Sequence, residues 1–158
     1  PYGFSKYIMA KYSEGSNNIY DLVLFGVFGK YEEWKRRFIS NNICNNLAGR
    51  PMTIEKNMYF DYIDVEDLAQ IMKYFIEHNP LQKRYNICRG EKIDLLSIAK
   101  TINKVMATNT DILVAKSGLK LEYTGNNDLF LKETGWETFI PFEKSIENLV
   151  CFYKNSTL

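Results

Sequence analysis

Two residue rhythms alternate along this chain, and no all-helical or all-strand architecture accommodates both. One is a continuous apolar run rich in β-branched and aromatic residues. Its longest example spans residues 19–28, punctuated by Gly26 and Gly29, and reads as a buried strand. Shorter runs at 52–54, 58–62, 84–88 and 112–115 are further strand candidates, the third turned by Gly90. The other rhythm is helical. Residues 3–14 read as a helix, and 32–48 as a second one closed by Gly49 and Pro51. Asp64 reads as an N-cap, with Asp67 as the inner capping residue. Leu68, Ile71, Met72, Phe75 and Ile76 then follow at helical spacing until Asn79-Pro80. Asp94 caps a helix carrying Leu95, Ile98, Ala99, Ile102, Val105 and Met106, and Phe142, Ile146, Leu149, Val150 and Tyr153 form a last amphipathic helix after Pro141. Strands alternating with helices predict an α/β fold with parallel pairing.

Composition removes several classes of function. With 46 % apolar and 25 % charged residues, the chain matches neither a disordered segment nor a fibre. Its apolar runs fall far short of the ~20 residues that span a bilayer, and it has no signal-peptide pattern. We therefore expect no membrane partner and a cytoplasmic location. Twenty basic residues balance 19 acidic ones without a basic run, which argues against nucleic acid. Cys44, Cys88 and Cys151 are odd in number and far apart, and read as buried reduced thiols. His78 is the only histidine and sits at a helix stop, so neither a histidine-based metal site nor a Ser-His-Asp triad is expected.

Tyr2 and Lys6 are four residues apart and share one helix face. That pairing has a chemical use. A phenol with a reference pKa of about 10 is a poor base at neutral pH. A nearby ammonium favours the phenolate, and bringing the pKa toward neutrality takes roughly 3–4 kcal/mol. A tyrosine so tuned can exchange a proton with a sugar hydroxyl while a nicotinamide moves the hydride. The spacing alone is cheap, because Tyr7 with Lys11 and Tyr31 with Lys35 repeat it. For each pair the competing view is a solvated helix surface.

The surroundings set the first pair apart. Pro1-Tyr2-Gly3-Phe4-Ser5-Lys6 resembles the Pro-Tyr-Gly-x-Ser-Lys signature of extended short-chain dehydrogenases/reductases, the sugar-nucleotide epimerase/dehydratase family. The resemblance continues in order. Leu24-Phe25-Gly26-Val27-Phe28-Gly29 is similar to the strand and turn beside the nicotinamide, and Asp61-Tyr62-Ile63-Asp64-Val65-Glu66-Asp67 to an Asp-Tyr-Ile-x-Val-x-Asp segment. Tyr85-Asn86-Ile87-Cys88-Arg89-Gly90 is similar to a Tyr-Asn-x-x-x-Gly strand and turn, and Thr134-Gly135-Trp136 to a late Leu-Gly-Trp.

This resemblance implies the C-terminal portion of an extended short-chain dehydrogenase: the end of a Rossmann-type parallel sheet plus a small α/β substrate-binding lobe. Residues 1–158 would run from the Tyr-x-x-x-Lys helix through that lobe, and the Gly-rich NAD-binding half is absent from the sequence. The implied activity is part of an NAD(P)-dependent sugar-nucleotide epimerase/dehydratase that works through a 4-keto sugar. The implied partners are a nucleoside diphosphate sugar and a second copy in a homodimer. NAD or NADP would serve the intact protein and is not expected to bind this stretch alone. A sugar-nucleotide 4-ketoreductase and a non-catalytic binding or dimerisation module with a degenerate site are the alternatives.

By position, Tyr2 would be the proton acid/base, and Lys6 would lower its pKa and hold the nicotinamide ribose. Ser5 would be a packing or backbone-bonding residue, and Val27 would line the nicotinamide pocket. Two departures bear on substrate. Gly26 stands where relatives often carry Asn, and Phe60 where many carry a phosphate-binding Arg. Arg36 and Arg37, at the start of the predicted 32–48 helix, are the candidate substrate-phosphate ligands. A solvated face, with Glu32 and Glu33 as their helical partners, is the competing view. Trp34 could stack a base or belong to the core.

Overall fold

The computed structural model describes residues 1–156. The chain opens with helix α1 (Tyr2–Glu14), then strands β1 (Asp21–Leu24) and β2 (Gly26–Phe28), and helix α2 (Phe38–Leu47). Strands β3 (Met52–Asn57), β4 (Tyr59–Phe60) and β5 (Tyr62–Asp64) lead into helix α3 (Val65–Glu77). Strands β6 (Arg84–Ile87) and β7 (Ile93–Asp94) precede helix α4 (Leu95–Met106). Strand β8 (Ile112–Leu119) and helices α5 (Asp128–Thr134) and α6 (Phe142–Asn155) complete it. Three strand pairs are parallel, β1 with β6, β2 with β5 and β3 with β8, as the alternation of rhythms predicted. Among the described residues, only β4 and β7 pair antiparallel.

Two apolar cores hold these layers. In one, Ile39, Ile43, Met52, Ile54, Ile98, Ile102 and Ile146 pack α2, α4 and α6 against β3. In the other, Ile63, Ile71, Phe75, Tyr85, Ile87 and Phe130 pack α3 and α5 against β5 and β6. The caps of two core helices follow the sequence. Asp64 accepts from the Glu66 amide at 2.9 Å, and Asp94 from those of Leu96 and Ser97 at 3.1 Å each.

Four readings need correction. The apolar run at 19–28 is not one buried strand. It bends at Phe25, pairs β1 and β2 with different partners, and leaves Leu24 exposed. The helix predicted from 32 begins only at Phe38, because Tyr31 adopts the left-handed region (φ 67°) and residues 30–36 turn instead. Arg36 and Arg37 therefore precede a helix, Arg37 as its N-cap residue without a side-chain cap bond. Asp67 does not cap its own helix: it is 5 % exposed and accepts the distant Ile140 amide at 3.1 and 3.2 Å. Cys151 is exposed, while Cys44 and Cys88 are buried.

The β3–β8 pair carries an exposed charge cluster. Lys116 and Lys120 reach the Glu55 carboxylate at 2.8 and 3.0 Å. Hydrogen bonds from the two ammonium groups push the Glu55 pKa down to about 2. A depressed carboxyl pKa stabilises the folded state above the unfolded value of about 4.3, and that contribution is lost as pH falls toward 2. A carboxyl NMR titration should place the Glu55 midpoint near 2. In 1 M salt, where the Debye length is about 3 Å, the midpoint should move back toward 4.

Candidate active site

The sequence-predicted residues fall into two groups. Tyr2 and Lys6 lie on α1, Tyr2 being 77 % exposed. The Lys6 Nζ stands 5.6 Å from the centroid of the Tyr2 ring, so the helix does bring the two together on one face. Ser5 donates from its hydroxyl to the Tyr2 carbonyl at 2.7 Å, the backbone role the sequence suggested. Most of α1 is exposed, with only Ala10 and Ser13 buried, and Phe4, Ile8, Met9 and Tyr12 leave an apolar surface open.

The second group surrounds two adjoining clefts beside β2. One, of about 410 Å³, is lined by Val27, Gly29, Lys30, Tyr31, Glu32 and Arg37 among others. The other, of about 270 Å³, is walled by Phe25, Val27, Phe60 and Tyr62 and carries Arg36, Arg37 and Glu32. The structure thus gathers Val27, Arg36 and Arg37 at one place. Tyr2 and Lys6 are not among the residues lining either cleft. Arg36 also pairs with Glu33 at 3.3 Å on the surface. The predicted pairing of Glu32 with Arg36 gives way to a hydrogen bond from the Ser40 hydroxyl to the Glu32 carboxylate. Trp34 packs half-buried against the larger core, which favours the core reading over base stacking.

Backbone geometry explains the departure at Gly26. A Cβ there would lie 2.8 Å from both the Asp61 carbonyl oxygen and the Tyr62 ring. The Tyr62 ring, stacked at 5.1 Å on Phe60, occupies the space that a longer residue 26 would need. Gly26→Asn, the residue that the family resemblance implies at this position, should therefore lower folding stability by about 1–3 kcal/mol in urea titrations. Unchanged stability would show that the strand can shift to admit the side chain.

Two features of the cleft region escaped the sequence. Glu32 was hidden in a charged run that read as a helix surface. Burial pushes its carboxyl pKa up, opposed by the Ser40 hydroxyl and the Arg37 charge. Asp61 is 1 % exposed and accepts the amides of Arg89 and Gly90 at 2.8 Å each, tying the loop after β6 to the cleft-lining segment. Among the described residues, no cluster of His, Cys, Asp and Glu could hold a metal ion, and no helix is long and apolar enough to cross a membrane.

The family model described as NAD dependent epimerase/dehydratase matches residues 1–88. No curated protein matches the sequence. UDP-N-acetylglucosamine 4-epimerase from Bacillus cereus has a similar solved structure, with TM-score 0.79 and 17 % identity over 96 % of this chain and 52 % of its own. UDP-glucose 4-epimerase from Thermotoga maritima, solved with UDP-glucose, gives 0.77 and 14 % over 94 % and 50 %. dTDP-glucose 4,6-dehydratase from Bacillus anthracis, solved with NAD, gives 0.72 and 17 % over 84 % and 43 %. The chain spans about half the length of these structures and shares their fold over that span.

Proposed function

Because the chain belongs to the NAD-dependent epimerase/dehydratase family, we propose that it forms the substrate-side portion of an NAD(P)-dependent enzyme that acts on a nucleoside diphosphate sugar through a 4-keto sugar. The observation that carries this reading is the common face of Tyr2 and Lys6, with the ammonium 5.6 Å from the ring centroid. Tyr2 takes the proton of the sugar hydroxyl and returns it later in the cycle. Lys6 sets its ammonium beside the Tyr2 ring, where it holds the nicotinamide ribose. Arg37, and Arg36 once released from Glu33, hold the substrate diphosphate with their guanidinium forks. Phe60 offers the diphosphate no charge and instead closes the cleft with an apolar wall.

The residues present fit one end of NAD(P). Tyr2 and Lys6 present a hydroxyl and an ammonium to solvent on one face, suited to the nicotinamide ribose, and Val27 offers an apolar wall for the ring. The chain has no Gly-rich phosphate loop for the pyrophosphate. NAD(P), when bound, supplies the hydride acceptor and donor. Isothermal titration of NAD into the 158-residue chain should give no measurable heat, and micromolar affinity would contradict the assignment of pyrophosphate binding to another segment. A sugar-nucleotide 4-ketoreductase would use the same residues in the same roles.

The apolar exposure of Phe4, Ile8, Met9 and Tyr12 on α1 supports a homodimer, which is also what a non-catalytic assembly module would need. Sedimentation equilibrium should give twice the 18.5 kDa chain mass. Ile8→Asp should return it to the monomer value, and a wild-type monomer would remove the dimer from the account.

A further inference from the structure

The turn between β2 and α2 builds a feature for which the roles of Tyr2, Lys6 and the two arginines have no use. Gly29 has φ 152°, and a Cβ there would run into the Val65 side chain. Tyr31 follows with φ 67°, a conformation that non-glycine residues rarely adopt. These unusual torsions turn the next residue, Glu32, inward. Its carboxylate is received by the hydroxyl of Ser40, a residue with no exposed surface, and it lies beside the Gly29 backbone.

Glu32 lines both clefts and is the one acid in the lining of either. The charged partners around it are cations: Lys30 and Arg37 in one cleft, Arg36 and Arg37 in the other. Lys30 is engaged with Glu66 at 3.2 Å. Among the described residues, no cation lies within 4 Å of the Glu32 carboxylate to neutralise it. The clefts therefore ask two things of one ligand. It must carry negative charge to match the arginines, and it must present a neutral hydrogen-bond donor to the carboxylate, since a cationic donor would meet Arg37. A phosphorylated sugar with a free hydroxyl meets both demands.

We propose that Glu32 is a specificity-determining residue whose carboxylate accepts a hydroxyl of the sugar while Arg37 holds the phosphates. The proposal rests on the nucleotide-sugar reading above and assigns a selection to its cleft. Sugars with a free hydroxyl at that position are retained, and deoxy or acylated ones are not.

The test is calorimetric titration of the full 158-residue chain with UDP-glucose and, separately, with UDP. Wild type should bind both. Glu32→Gln, which keeps the shape and removes the charge, should weaken UDP-glucose about tenfold and leave UDP within about twofold. Ser40→Ala, which removes the group that aims the carboxylate, should cause the same selective loss. It serves as the independent variant should the glutamine form not fold by circular dichroism. Arg37→Ala should weaken both ligands. Equal affinity of wild type and folded Glu32→Gln for UDP-glucose, with Arg37→Ala still weakened, overturns the role of Glu32 alone. A wild-type chain that binds neither this pair nor the corresponding dTDP, GDP and CDP pairs overturns the nucleotide-sugar reading and this proposal with it.

Discussion

Asp61→Ala is expected to destabilise the folded chain by about 4 kcal/mol, from two buried amide donors left unpaired at ~2 kcal/mol each. Asp61 is 1 % exposed, and its two carboxylate oxygens take the Arg89 and Gly90 amides at 2.8 Å each. Those amides belong to the turn after β6, where Gly90 has φ 77° and packs against Asn127. Asn127 itself donates to the Cys88 carbonyl at 2.8 Å, so the same turn is gripped from both sides. A small domain has only about 5–15 kcal/mol of net stability, so a loss of this size would remove from about a quarter to about four fifths of it. Urea titration checks it. A loss below 1 kcal/mol would mean that water replaces the carboxylate and that the turn is held by Asn127 alone. The effect should also reach the smaller cleft, because Tyr62, the next residue, forms part of its wall.

The second large effect is on chemistry. In the proposed enzyme, assayed with a nucleotide-binding half present, Tyr2→Phe should lower kcat by about a thousandfold, within the range that one positioned acid/base contributes. KM for the nucleotide sugar should stay within about threefold, because removing one hydroxyl leaves the arginines untouched. Stability should not change: Tyr2 is 77 % exposed, and Ser5 bonds to its backbone carbonyl, which phenylalanine keeps. Lys6→Met should lower kcat as well, since the ammonium that stands beside the Tyr2 ring would be gone. A Tyr2→Phe enzyme with more than a tenth of wild-type kcat would assign the proton transfer to another group. Preserved activity would favour the assembly reading of α1.

What the sequence made legible follows from how local each signal was. The core helices α3 and α4 announced themselves through apolar spacing and through aspartate caps, both decided within a few residues. The parallel pairing followed from the alternation of strands and helices. The turn at 30–36 was not legible, because a charged run is compatible with a helix surface. Only the packing of Gly29 on Val65 and the bond from Ser40 to Glu32 make the turn the better solution. The bend at Phe25 escaped for a similar reason. Residues 19–28 have uniform strand character, and what divides them is that β6 and β5 offer separate edges. Helix α5, seven residues long, carried too few positions to show a period. Asp67 misled because a carboxylate three residues after a cap fits a capping box, whereas its partner Ile140 lies 73 residues away.

The same division applies to the site. The roles proposed for Tyr2, Lys6 and Val27 rest on local motifs and the family resemblance. Arg36 and Arg37 were found as candidates but given the wrong local structure. Glu32 and Asp61 could not be found, since the meaning of a carboxylate depends on what the fold sets against it. Gly26 and Phe60 looked like two separate losses from a family pattern. The Tyr62 ring connects them, lying against one and stacking on the other.

The central claim is that the clefts beside β2 hold a nucleoside diphosphate sugar. Amide NMR of the isotope-labelled 158-residue chain tests it most directly, titrated in turn with UDP-, dTDP-, GDP- and CDP-glucose. The account predicts that at least one of the four shifts the amides of residues 25–38 and 60–62 in a saturable way, and that Arg37→Ala abolishes the shifts. Saturable shifts confined to other elements, or none with any of the four, would contradict it.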